Sequence, residues 1–148
     1  MLPQSESPAD RAVRLAEEFL ARVWGPQHEL EAIDQLMTPD YRITSGGKTI
    51  AGRDSFKAWV ETFQEQLEDS RTVPLESFAD SAGTRVVSRW LCTGSNNGIF
   101  GLPADGRPVR FTGIAIWSVR NGRLAECWVE RAALEAFREL ADAGSRQA

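Results

Sequence analysis

Gly94–Leu140 reads GSNNGIFGLPADGRPVRFTGIAIWSVRNGRLAECWVERAALEAFREL. Two strand-like runs, Arg107–Arg120 and Arg123–Arg131, flank Asn121-Gly122, the dipeptide favoured in tight hairpins. Ahead of them stand two adjacent asparagines and a turn carrying Gly98, Gly101, Pro103, Gly106 and Pro108. Behind them Leu134, Phe137 and Leu140 recur on one side of a helix predicted from about Ala132 to Asp142. Upstream, the runs Thr72–Asp80 and Thr84–Asn96 are two more strands, parted by Ser81-Ala82-Gly83. The second half of the chain is therefore an antiparallel meander closed by a helix.

The first half is helical. Ser7-Pro8 opens a helix, because serine accepts a backbone N–H at the N-cap and proline suits the first turn. Ala12, Ala16, Phe19, Leu20 and Val23 form its apolar stripe, and Gly25-Pro26 ends it. A short second helix carries Leu30, Ile33, Leu36 and Met37 and stops at Thr38-Pro39. Tyr41–Gly52 reads as two short strands around Ser45-Gly46-Gly47. A third helix follows Gly52, with Phe56, Trp59, Val60, Phe63 and Leu67 on one face. This order predicts an α+β fold: a cone-shaped, curved antiparallel sheet of five or six strands wrapped by N-terminal helices.

The length of 148 residues fits one domain, 1–148. Hydrophobic residues make up 42% and charged ones 26%, an ordinary globular balance. A net charge of −4 and a pI near 5.1 argue against a nucleic-acid surface. No apolar run approaches the roughly 18 residues of a membrane span. Met1–Val13 shows no basic segment leading into an apolar one, so no signal peptide is expected. Cys92 and Cys127 read as reduced core thiols, and the chain is expected to be cytoplasmic. One histidine and no C-x-x-C leave no zinc pattern, so no metal is expected.

The quoted stretch resembles the C-terminal half of SnoaL-like polyketide cyclases, within the nuclear-transport-factor-2-like superfamily. The likeness lies in the Gly-rich turn into Gly106-Arg107-Pro108, in Phe111-Thr112-Gly113, in Gly122-Arg123 and in Glu126-x-Trp128. Looser likeness extends to Met37–Ile43 and Ile50–Val60. The resemblance implies a site inside the cone that needs neither cofactor nor metal, and a carboxylate acting there as acid or base. This chain departs from the cyclase pattern twice. A histidine would be expected on the Phe111–Trp117 strand, where Ala115 and Trp117 stand. An aspartate would be expected near Ala132. Glu130 remains, two residues beyond Trp128, and epoxide hydrolases on this scaffold place an aspartate similarly.

Alternation along Arg123–Arg131 puts Leu124, Glu126, Trp128 and Glu130 on one face. If that face lines the cone, an indole beside a carboxylate raises its pKa by desolvation. Glu130 and Glu126 are thus the candidate catalytic residues. They would equally suit ion pairs with arginines such as Arg89 on a wet sheet face. A bulge that shifts the register by one residue would exchange the roles of Glu130 and Arg131. Candidate substrate-binding residues are Tyr41, Arg89, Asn96, Asn97, Trp117 and Trp128. Tyr41 could donate to a carbonyl, and Arg89 could anchor a carboxylate or enolate. The two asparagines could orient a carbonyl or simply form the turn. The tryptophans would stack on rings. His28 reads as a solvent-facing loop residue.

The expected function is a cofactor-independent cyclase or isomerase of a bulky apolar oxygenated natural-product intermediate, a polyketide or terpenoid. Epoxide opening, or a non-catalytic small-molecule-binding dimer module, are the alternatives. The expected partners are a hydrophobic small-molecule substrate and a second copy of the chain, packed through the outer face of the sheet. Neither nucleic acid nor membrane is expected as a partner.

Overall fold

The computed structural model describes residues 6–146. Helix α1 spans Pro8–Val23 and α2 spans Ala32–Leu36. Strands β1 (Met37–Ser45) and β2 (Lys48–Ala51) form a hairpin, and α3 (Arg53–Gln66) follows. The meander is β3 (Leu67–Ala79), β4 (Arg85–Asn96), β5 (Pro108–Arg120) and β6 (Arg123–Arg131), and α4 runs Ala133–Arg146. The six strands order as β2-β1-β6-β5-β4-β3 in one unclosed sheet. All pairings are antiparallel except β1 with β6, which run parallel. That pairing joins the N-terminal hairpin to the meander and is the one departure from an all-antiparallel sheet.

Helix α1 begins as its sequence dictates. Ser7 Oγ accepts the Asp10 N–H at 3.0 Å, with Pro8 at the first helical position. Its whole predicted stripe, Ala12, Ala16, Phe19, Leu20 and Val23, is buried. The helix packs over β3 and β4, and α3 packs over β1 and β3, so the helices cover one face. The Asn121-Gly122 turn forms as expected, with φ of 52° and 73°. Leu67 differs from its reading. It does not end α3 but begins β3, buried and opposite Asn96. The helix-like spacing was satisfied by a strand whose first residue enters the same core.

Register shifts on β3 and between Ser118 and Val119 of β5 bend the sheet around the helices. Gly113 serves this close packing. A Cβ there would lie 2.3 Å from the Trp90 ring, so the glycine of Phe-Thr-Gly lets the indole pack directly against the strand. Among the described residues no helix is long and apolar enough to cross a membrane.

Candidate functional site

Between the helices and the inner sheet face lies a cavity in which the centre of a water molecule can occupy about 60 Å³. Helix α1 supplies Phe19 and Leu20, and Trp24 follows at its end. Helix α3 supplies Phe56, Trp59 and Phe63. The sheet supplies Tyr41, Ile43, Thr72, Trp90, Cys92, Phe111, Ala115, Trp117, Cys127, Val129 and Arg131. The rings interlock edge to face: Phe19 with Trp117, Tyr41 with Phe56, and Trp90 with Phe111. Trp24, Trp59 and Arg131 keep partial exposure and mark the mouth, whereas Tyr41, Trp117 and Cys127 are buried at the floor.

The floor presents two donors. Tyr41 Oη and Trp117 Nε1 are both buried and make no hydrogen bond of good geometry among the described residues; Trp117 Nε1 and Cys127 Sγ are the polar groups close enough to interact weakly with the phenol. An unsatisfied buried donor is costly, so such a pair is a place where a ligand acceptor is welcome. Burial, reinforced by Cys127, pushes the Tyr41 phenol well above its ordinary range. Tyr41 is therefore held neutral, as a donor. Burial also pushes the Cys127 and Cys92 thiols up, so neither is a ready thiolate.

The mouth presents one cation. The Arg131 guanidinium lies 5.8 Å from the ring centres of both Trp59 and Phe63. No carboxylate or carbonyl of the described residues pairs with it. Burial pushes it down from the usual guanidinium range, and Cys92 acts in the opposite sense.

The structure corrects the face assigned to β6. Pairing runs from Val119↔Leu124 to Ser118↔Glu126, so Ala125 is an extra residue in the ladder. Leu124 and Ala125 are both buried, and the alternation counted from Leu124 slips by one. Cys127, Val129 and Arg131 face the cavity, while Glu126, Trp128 and Glu130 face outward. Glu130 is exposed opposite Ile114, and Glu126 pairs with Arg42 at 3.6 Å. Arg85 sits 4.8 Å over the Trp128 ring. Arg89 also points outward and pairs with Glu76 at 2.9 Å. Among the described residues, no carboxylate or histidine lines the cavity.

The asparagines form the turn. Asn96 Nδ2 donates to Pro103 O at 3.0 Å and to Asp105 Oδ1 at 2.8 Å. Its Oδ1 accepts from the Gly98 and Ile99 amides. Every donor and acceptor of that side chain is used within the turn, and none is left for a ligand. Asn97 Nδ2 donates to Glu65 O at 2.8 Å, tying the turn to the end of α3. Of the candidate residues, the cavity brings together Tyr41 and Trp117 only. His28 is half-buried rather than solvent-facing. Its Nε2 lies 2.7 Å from Ser70 O and 3.1 Å from Ser70 Oγ, clasping the loop to β3.

Arg131, Trp59, Trp90 and Phe111 are lining residues that the sequence did not single out for the site. A signal existed for Arg131: Ala125, Cys127 and Val129, on its face, are uniformly apolar, as a core face should be.

The profile of the SnoaL-like domain matches residues 16–127. The chain belongs to that family. No curated protein sequence matches the chain significantly. Among solved structures, a candidate SnoaL-like polyketide cyclase from Jannaschia sp. CCS1 superposes with a TM-score of 0.81 at 19% identity, covering 92% of this chain and 96% of the other. TsrD from Streptomyces laurentii gives 0.75 at 24% identity, covering 87% and 92%. An LEH-like epoxide hydrolase of M. tuberculosis gives 0.71 at 16%, covering 90% and 87%. At these identities the likeness is one of fold. This SnoaL-like chain shares the scaffold with a cyclase candidate and an epoxide hydrolase, and its own cavity must supply the rest.

Proposed function

We propose that this SnoaL-like protein is a cofactor-independent cyclase or isomerase of an apolar, oxygen-bearing small molecule of the polyketide or terpenoid kind. The observation that carries the reading is the pair of buried donors, Tyr41 Oη and Trp117 Nε1, which lie near each other at the floor of an aromatic cavity and make no well-formed hydrogen bond there. Two fixed donors hold a carbonyl oxygen and stabilise the negative charge that grows on it in enolisation or ring closure. A phenol kept neutral by burial can also return a proton to that oxygen. This assigns the chemistry to Tyr41 rather than to Glu130. The cavity is small against the roughly 300–1,000 Å³ typical of ligand pockets, so a bulky substrate requires the mouth to widen beside the half-exposed Trp24.

Non-catalytic binding is the second reading, and the absence of any carboxylate or histidine from the lining favours it. Epoxide opening needs a base to activate water, and the lining offers none. Titration with 2-acetylnaphthalene, followed by tryptophan fluorescence, tests the cavity. Tyr41→Phe should weaken the ketone roughly three- to tenfold and leave 2-ethylnaphthalene unchanged. Equal loss for both probes would remove the floor donors from recognition. Turnover of oxygenated polyketide-like compounds by the wild type, lost in Tyr41→Phe, separates enzyme from binder.

We also propose a cytoplasmic homodimer of one-domain chains. Phe78 and Ile114 are 58% and 49% exposed on the outer sheet face, beside Val87, Ile116 and Trp128. Such a patch is suited to a second copy. Free, buried Cys92 and Cys127 suit a reducing compartment. Light scattering that shows only the 16.4 kDa monomer would exclude the dimer.

A further inference from the structure

We propose that the cavity selects ligands bearing a single carboxylate, which Arg131 grips at the mouth while an acceptor oxygen of the same molecule reaches Tyr41 and Trp117 at the floor. This rests on the reading that the cavity binds a small molecule and names the class of that molecule.

Four observations converge. First, seven arginines of the described residues pair with carboxylates, namely Arg14, Arg22, Arg42, Arg53, Arg89, Arg107 and Arg120, and the arginines without such a pair include Arg85, which instead lies over the outer Trp128 ring. Arg131 lines the cavity and has none. Second, its guanidinium centre lies 5.8 Å from the ring centres of Trp59 and Phe63, and no carboxylate of the described residues occupies its N–H groups, which suit a planar anion. Third, no acidic side chain lines the cavity to compete for it. Fourth, it is the only lysine or arginine among the lining residues. One cation in an apolar space is balanced by a monoanion, whereas a phosphate dianion would leave net charge in contact with aromatic walls.

The ligand's shape follows from the strand. Cys127 at the floor and Arg131 at the mouth lie four residues apart on one face of β6, about 13 Å along the strand. Arginine's reach shortens the gap between the two polar anchors. The body between them meets Trp90, Phe111, Phe63 and Ala115, so it is flat and apolar. An aromatic or polyenic keto acid has this layout, with the carboxylate at one end and the carbonyl at the other.

The test compares 4-acetylbenzoate with 4-acetylbenzamide, which match in shape and differ in charge, by tryptophan fluorescence and ligand-observed NMR. The wild type should bind the acid roughly ten- to a hundredfold more tightly than the amide. Arg131→Gln should erase that preference and leave the amide affinity within about twofold, whereas a merely structural role would lower the melting temperature and leave the ratio intact. Arg131→Lys should keep a reduced preference, because an ammonium cannot make the two-pronged contact. Equal binding of acid and amide by the wild type overturns the carboxylate assignment and leaves the cavity reading standing. An acid preference that survives in Arg131→Gln overturns Arg131's part. Failure of both probes to bind at about millimolar concentration, where a weak ligand still registers, overturns the cavity reading and this inference with it. If Arg131→Gln does not fold, the wild-type ratio and the lysine variant still decide.

Discussion

The two faces of β6 carry similar residue types into opposite situations. Outward, Glu126 meets Arg42 and the Trp128 ring lies under Arg85, so charge and aromatic surface both find partners at the water's edge. Inward, Arg131 lies over Trp59 and Phe63 with no carboxylate partner among the described residues, and the buried Trp117 N–H on the neighbouring strand makes no well-formed hydrogen bond. Surface charges paired in solvent contribute little to stability and report little about function. An unpaired charge and unpaired donors facing an apolar cavity cost stability, and that cost is the better sign of a site.

Replacing a tryptophan on each face gives the sharpest contrast. Trp117→Ala should cost about 3–5 kcal/mol in urea unfolding, because it opens a cavity beside Phe19. Trp128→Ala should cost about 1 kcal/mol in the monomer. Similar losses for the two would erase the distinction between the faces.

The alkaline limb of stability is the next contrast. Tyr41, Cys92 and Cys127, all buried on the inner side, have pKa values raised by burial. A raised folded-state value means the folded chain holds its proton more tightly. The contribution is therefore fully present below the unfolded values, 9.0 for the thiols and 10.0 for the phenol, and falls as pH rises above them. Each such group steepens the fall by about 1.4 kcal/mol per pH unit. Denaturant midpoints measured from pH 8 to 11 should drop, and Cys127→Ala should flatten the slope. A flat profile in the wild type would mean these groups ionise without unfolding.

Smaller effects belong to the outer face. Glu126→Gln should cost at most about 1 kcal/mol, and added salt should shrink the difference. Glu130→Gln should change stability by less than about 0.5 kcal/mol and leave ligand affinity unaltered. A hundredfold loss of turnover in a folded Glu130→Gln protein would return the chemistry to that carboxylate and break the comparison.

Much of the fold was legible because local patterns and the tertiary structure agree. The Ser7-Pro8 cap, the α1 stripe, the Asn121-Gly122 turn and the meander each follow from short-range rules that nothing later overrides. Tyr41, read as a phenol at the start of a strand, and Trp117, read as a wall beyond the turn, both fall in the cavity lining. Asn96 was legible only as a polar residue near a turn. Whether it holds a ligand or the chain depended on Pro103 and Asp105, which the turn brings back to it.

By itself, the amino-acid sequence determined the order of helices and strands, because capping, turn chemistry and hydrophobic period act over a few residues. It also supplied both charges at the end of β6. The apolar run Ala125, Cys127 and Val129 hinted at Arg131's face, and the tertiary structure decided that this face lines the cavity. One extra residue at Ala125, accommodated where β5 bends, turns every later side chain of the strand over. A strand's period is two, so a single bulge exchanges its faces, and Arg131 enters the aromatic cavity in place of Glu130.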